Sequence, residues 1–204
     1  MTTTLTLYGS LTSPFVRRVR IVAQERAVPL TFVDAFTEDG QRALRARSPI
    51  WKVPLAEIDG DVVTDSHSIV DELLRRAGHG ALRPLEHPAR LAEEFFIHVV
   101  DAAVDAGVKR FYLKRDGVDP DVPASTKKDG ERIASCLAWL DARVKGGAIE
   151  GLTGFGRAEV ALVSALGWLR FREIVDVDRL PNLAAFERAH AERASVKDTV
   201  PRVA

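Results

Sequence analysis

The sequence predicts two domains: an α/β domain with the element order βαβαββα, followed by an all-α helical domain. Three observations carry this. Up to residue 77 the apolar residues switch between strand-like alternation and helical spacing. A stretch bearing Gly and Pro, "GHGALRPLEHP" (78–88), then breaks the pattern. Beyond it every long periodic segment is helical and none alternates convincingly as a strand. The expected division is 1–77, a linker at 78–88, and a helical domain at 89–204.

The elements follow in order. "TLTLYG" alternates and stops at Gly9, which marks a strand. From Pro14 the apolar residues Phe15, Val19, Val22 and Ala23 recur at helical spacing to about Ala27. "PLTFVDA" (29–35) reads as a second strand, and residues 38–47 as a short polar helix. "VPLAEIDGDVVT" (53–64) reads as a hairpin, because two apolar runs flank Asp59-Gly60. "DSHSIVDELLRRAG" (65–78) reads as a helix with Ile69, Leu73 and Arg76 on one side and Gly78 as its C-cap. In the second domain, residues 89–115 and 127–145 are helix-periodic, with Gly146 and Gly147 ending the latter. "RAEVALVSALGWLRFR" (157–172) is so rich in apolar residues that it should run through the core. Pro181 or Asn182 starts a last helix through about Arg193.

Composition narrows the function classes. Hydrophobic residues make up 46% of the 204, enough for a core. The 29 acids balance 29 bases, so nucleic acid or an anionic membrane is not expected as the main partner. No apolar run approaches the roughly 20 residues of a membrane span. "MTTTLTLYGS" lacks the basic and apolar regions of a signal peptide. The single cysteine, Cys136, excludes an intramolecular disulfide framework. A soluble cytoplasmic protein is expected.

Three short motifs carry chemistry. Ser13-Pro14 joins a favoured N-cap to a favoured first helical residue, so it marks a helix start. Such a start offers unpaired N–H groups and a partial positive charge to an anion. Ser13 either only caps its helix or also holds a ligand. Arg17 and Arg18 follow in the first turns, where cations oppose the dipole by about 0.3–1 kcal/mol each. In Lys52-Val53-Pro54 the proline either opens a strand or sits in a cis bond that offers the Val53 backbone to an extended ligand. Asp65-Ser66 is a second N-cap or a second anion site, with Ser66 suited to a carboxylate and Asp65 to the ammonium beside it.

"SPFVRRVRIV", "SPIWKVPLAEIDG" and "TDSHSIVDEL" resemble the N-terminal, thioredoxin-like domain of the glutathione S-transferases. "AEVALVSALGWLRFR" and "LPNLAAFERAHAERASV" are similar to that family's helical domain, so the resemblance covers nearly the whole chain. The Ser-Pro-Phe start resembles the serine-type plant tau and bacterial branches. The resemblance implies that glutathione is the co-substrate and that Ser13 donates a hydrogen bond to its sulfur, favouring the nucleophilic thiolate. It implies that Val53, with Pro54 cis, pairs with the cysteinyl segment. Asp65 and Ser66 would hold the γ-glutamyl group, and Lys52 the glycyl carboxylate. Phe15, with Leu11 and Thr12, would border the glutathione site and the pocket of a hydrophobic electrophile. Val100, Val104, Val108 and Phe111 would form the far wall. The reaction would be conjugation or peroxide reduction, by a homodimer, with no metal or prosthetic group. A glutathione-dependent isomerase ranks lower, since zeta-type members start Ser-Ser-Cys where this chain has Thr12-Ser13-Pro14. A non-catalytic binding or scaffold protein of the same fold would not need the three motifs as a set.

The chain departs from the family in three places. Ser48-Pro49 replaces Asn-Pro, and Trp51 stands where a small residue is common. Gly156-Arg157-Ala158-Glu159 replaces a Ser/Thr-x-x-Asp capping box, so the core helix should start without a capping side chain. Cys136 reads as core packing. His67, His79, His87, His98 and His190 lack metal-ligand spacing and read as surface or linker residues, with His67 next to the site. Ser10 and Thr12 are rival donors to the sulfur.

Overall fold

The computed structural model describes residues 3–203. It divides into two compact units: one from the N-terminus to Glu86 joined by the segment from Arg193 on, the other spanning His87–Glu192.

The first unit has the predicted order: β1 (Leu5–Gly9), α1 (Pro14–Glu25), β2 (Leu30–Asp34), α2 (Glu38–Arg47), β3 (Leu55–Ile58), β4 (Asp61–Thr64) and α3 (Ser66–Ala77). The sheet order is β2-β1-β3-β4. β1 and β2 are parallel, as a helical crossover requires, and the other pairs are antiparallel. Helix α1 buries Val16, Val19, Val22 and Ala23, at i, i+3, i+6 and i+7, and packs beside α3 through one apolar stripe. At the hairpin turn Asp59 and Gly60 have φ of 50° and 93°, the two left-handed residues a two-residue loop needs.

The second unit contains α4 (Arg90–Arg115), α5 (Ala124–Asp141), α6 (Arg157–Phe171) and α7 (Pro181–His190). Helix α4 packs against α5 and α6. Both faces of α6 are buried, including Val160, Leu162, Val163, Leu166 and Leu169, so it is the core helix its composition predicts. Where the sequence showed no strand there is a small hairpin, β5 (Val144–Lys145) and β6 (Ala148–Ile149). Gly146 and Gly147, at φ of 57° and 81°, make its turn rather than simply ending a helix.

The start of α6 is capped from another helix. Gly156 has no side chain to offer, and its own N–H donates to the Glu159 carboxylate at 2.8 Å. The missing acceptor is supplied by Glu93 of α4, which is 1% exposed and accepts from the Ala158 N–H at 3.3 Å. Glu93 also meets His87 Nε2 at 2.9 Å and the Arg157 guanidinium at 3.8 Å. The expected uncapped start is thereby corrected, and His87 is a core partner rather than a linker residue. His190, half-buried, likewise has partners within the unit, packing against Phe186 and Phe155 and bonding the Gly147 carbonyl.

The C-terminal segment corrects the expected division. The last long helix stops at His190, and a short helix α8 (Ala194–Lys197) packs on α1. Arg193 makes two 2.7 Å bonds to the Glu25 carboxylate, and Ser195 donates to the same group. Gln24 donates to Asp198 at 2.7 Å. Arg17, 3% exposed, donates to the Val196 carbonyl at 3.1 Å and to Thr199 Oγ1 at 3.4 Å. Its charge therefore answers the carbonyl end of α8. Among the described residues no helix is long and apolar enough to cross a membrane.

Candidate functional site

The strand register gathers the three motifs at one end of the sheet. Tyr8 of β1 lies opposite Leu55 of β3, and Leu55 lies opposite Thr64 of β4. The end of β1, the start of β3 and the end of β4 therefore share one edge. The chain leaves or enters them there through Ser10–Ser13, Val53-Pro54 and Asp65-Ser66. This is the end of the sheet toward which β1 and β2 run, where open α/β sheets place ligands.

Ser13 is the N-cap of α1, in extended conformation, and its Oγ accepts from the Val16 N–H at 3.3 Å. A hydroxyl has two lone pairs and one proton. The cap uses a lone pair, so the proton can still be donated outward. Of the rivals, Ser10 is 4% exposed and its Oγ bonds Thr12 Oγ1 at 2.9 Å, a contact that takes up one of their two hydroxyl protons. Tyr8, also at this end of β1, donates its hydroxyl to Glu57 at 2.8 Å. Burial, then Glu57, pushes its pKa up. Glu57 in turn is held low by its bond from Arg47, which also lies 4.9 Å over the Tyr8 ring. Ser13 is thus a partly exposed hydroxyl at the helix mouth, as is Thr12 beside it.

Asp65 caps α3, accepting from the His67 N–H at 2.9 Å and the Ser68 N–H at 3.3 Å. Its φ is 72°, left-handed for a residue with a side chain, at a cost of about 1–3 kcal/mol. The strain places an exposed carboxylate beside the buried Ser66 at a helix start. Arg18 of α1 reaches His67 Nε2 at 3.3 Å and lies 5.2 Å over the Phe15 ring. This side-chain bridge ties the first turns of α1 and α3 together, a role for Arg18 that sequence patterns do not reveal.

The Val53-Pro54 bond is cis. The Val53 side chain packs on the buried cluster of Tyr8, Ala35, Leu44 and Leu55. Strand pairing begins only at Leu55, so the Val53 backbone lies outside the ladder. Lys52 is exposed beside it. Trp51, at φ 56° and 58% exposed, carries the Arg45 guanidinium 4.6 Å above its ring.

The expected far wall lies in the second unit. Val100 and Val104 are fully buried, so they present no surface to a ligand and act as core residues here. Their place on α4 was read from apolar character alone, and that does not say which face meets the core. Val108 is half-buried. Phe111 packs edge-on against Trp168 and under Arg172. Cys136 is half-buried on α5, and burial pushes its thiol pKa up, as expected of a packing residue.

The family model "Glutathione S-transferase, N-terminal domain" matches residues 7–81. The chain is 29% identical to a probable glutathione S-transferase, GSTU6, of Oryza sativa subsp. japonica, over 97% of this chain and 88% of that one. It is 26% identical to the uncharacterized GST-like protein YibF of Escherichia coli K12, over 96% and 98%. A crystal structure of a glutathione S-transferase from Methylobacillus flagellatus KT with GSH bound superposes with a TM-score of 0.84 at 27% identity, covering 98% and 100%. With the fold and the end-of-sheet motifs in place, residues 7–81 are a glutathione S-transferase N-terminal domain, and the chain over nearly its whole length is similar to proteins of that family.

Proposed function

We propose that this chain is a glutathione transferase in which Ser13 stabilises the glutathione thiolate for attack on a hydrophobic electrophile or a peroxide. The observation that carries it is the gathering of Ser13, Val53 and Asp65-Ser66 on one sheet edge. Two interstrand spacings separate the β1 end from the β4 end, about 10 Å. The stretch from the γ-glutamyl head to the cysteinyl thiol, about two residues of extended chain plus a side chain, is of the same order, roughly 8–10 Å. The ligand's thiol would meet Ser13, its middle segment the Val53 backbone, and its γ-glutamyl head the Asp65-Ser66 turn. Lys52 would face the glycyl carboxylate, and Phe15, Leu11 and Thr12 the rim.

The chemistry follows from charge. A hydrogen bond to an ionised group contributes about 1.5–3 kcal/mol. Given to the thiolate alone, that lowers a thiol pKa by about one to two, from an ordinary value near 8.5. The thiolate share at neutral pH then rises about tenfold or more. No covalent intermediate with the protein is required; the site supplies the ionised nucleophile and proximity. Ile50 and Trp51, exposed at 56% and 58%, suit a surface covered by a second copy, and we take the working form to be a cytoplasmic homodimer.

Calorimetry with glutathione and turnover of chlorodinitrobenzene test the reading. Wild type should bind glutathione and turn over. Ser13→Ala should keep binding and lose about 10- to 100-fold in kcat at neutral pH. No glutathione binding by wild type sinks the proposal, and full activity in Ser13→Ala transfers the role to Thr12 or Ser10.

A further inference from the structure

The first unit holds a cleft of about 350 Å³ between the C-terminal half of α1, the start of β2 and the C-terminal segment. Ala23, Val28 and Leu30 give it an apolar floor, and Arg20, Gln24 and Asp198 supply polar groups. Leu30 pairs with Leu5 and Asp34 with Gly9, so this cleft lies at the opposite end of the sheet from Ser13.

Most polar groups here are answered within the protein. The Asp198 carboxylate accepts from Gln24 Nε2 at 2.7 Å. Arg17, on the same helix, donates to the Val196 carbonyl at 3.1 Å. Arg20 is different. Its Nη2 donates only to the Asp198 carbonyl at 3.4 Å, the long limit of a hydrogen bond. Its Nη1 is closed to solvent and has no acceptor. A buried donor left in that state is a cost, so nothing strong holds the present rotamer. The side chain is half-buried and can turn its fork into the cleft. Burial, and then the Arg202 guanidinium, pushes the Arg20 pKa down. Both effects are the mark of a cation held without an anion. Two guanidinia that repel each other, one of them short of an acceptor, are completed by a group with several acceptor oxygens. A carboxylate brings one negative charge, whereas a phosphate brings nearly two at neutral pH.

We propose that Arg20 and Arg202 together bind a phosphate group, free or carried as a monoester, and that the bound anion fastens the C-terminal segment onto α1. The proposal does not rest on the transferase reading, since the cleft is at the other end of the sheet and is measured without glutathione.

Hydrogen exchange at the amides of residues 197–199 reads the fastening, with inorganic phosphate and glycerol phosphate as probes. Chloride at the same ionic strength is the control, because it screens the arginines without bridging them. A Kd of about 1 mM is expected for so open a site. At about ten times that Kd, exchange at 197–199 in wild type should slow about tenfold. Arg20→Met and Arg202→Met should each cut the slowing to less than about twofold. Circular dichroism reports whether the variants fold. Arg202 is exposed near the end of the chain, so Arg202→Met keeps the test open whether or not Arg20→Met folds. A stronger effect of glycerol phosphate identifies the ester as the ligand, and equal effects identify the free ion; both support the site. No slowing in wild type at about 20 mM of either probe overturns the proposal. So does slowing that survives in a folded variant.

Discussion

The cap supplied by Glu93 makes a sharp prediction about stability. Glu93→Ala removes a 1% exposed carboxylate that accepts from Ala158 N–H at 3.3 Å, meets His87 at 2.9 Å and faces Arg157 at 3.8 Å. Arg157 keeps its bond to Glu94, so the variant does not strand that cation completely. Breaking a buried pair costs about 3–5 kcal/mol, and the anion–dipole interaction at a helix start is up to about 2 kcal/mol of that kind. The terms overlap, so about 3 kcal/mol is the working figure. For a chain of this size that is a fall in Tm of roughly 6–12 °C. Glu93→Gln keeps the shape and an acceptor oxygen but loses the charge, and should cost about 1–2 kcal/mol. Thermal unfolding followed by circular dichroism of the three proteins checks the order. The reasoning is refuted if Glu93→Ala lowers Tm by less than about 2 °C, because Gly156 would then need no substitute cap.

A Cβ on Gly9 would stand 2.7 Å from both Cγ atoms of Val16, close to the stiff first turn of α1. Gly9→Ala should cost about 1–3 kcal/mol and raise the glutathione KM by displacing Ser13, read by unfolding and steady-state kinetics. Arg17→Met should loosen the C-terminal segment, with faster hydrogen exchange at residues 195–199 and a loss of about 1–3 kcal/mol; unchanged exchange would contradict the clamp. Glu72, held down to about 2 from 4.5 chiefly by hydrogen bonds from Arg75 and then Arg76, binds fewer protons folded than unfolded. Its stabilisation is full above pH 4.5 and is lost as pH falls toward about 2. In Glu72→Gln, urea midpoints should fall less steeply over that window than in wild type.

The sheet and its helices were legible because each rests on neighbours in sequence. Asp59-Gly60 announced its hairpin, and Ser13-Pro14 and Asp65-Ser66 announced helix starts, since caps and turns need only a few residues. The β5–β6 hairpin was not legible, because strands of two residues carry no period. The cap on α6 joins residues 65 apart, and the clamp from Arg17 to Thr199 joins residues 182 apart. Local patterns do not encode either. Arg17 and Arg18 looked like mismatched first-turn charges, yet their partners lie in α8 and at the start of α3. Helix α4 shows the opposite failure: its apolar residues were visible, but which of them meet the core was not, and Val100 and Val104 proved fully buried.

The role proposed for Ser13 is to lower the pKa of a bound glutathione thiol. Thiolate absorbance in the ultraviolet, titrated on the glutathione complex of wild type and Ser13→Ala, measures it directly. The bound thiol pKa should lie about one to two below the ordinary value in wild type and return to about the ordinary value in Ser13→Ala. Equal thiol pKa values in the two proteins would contradict it.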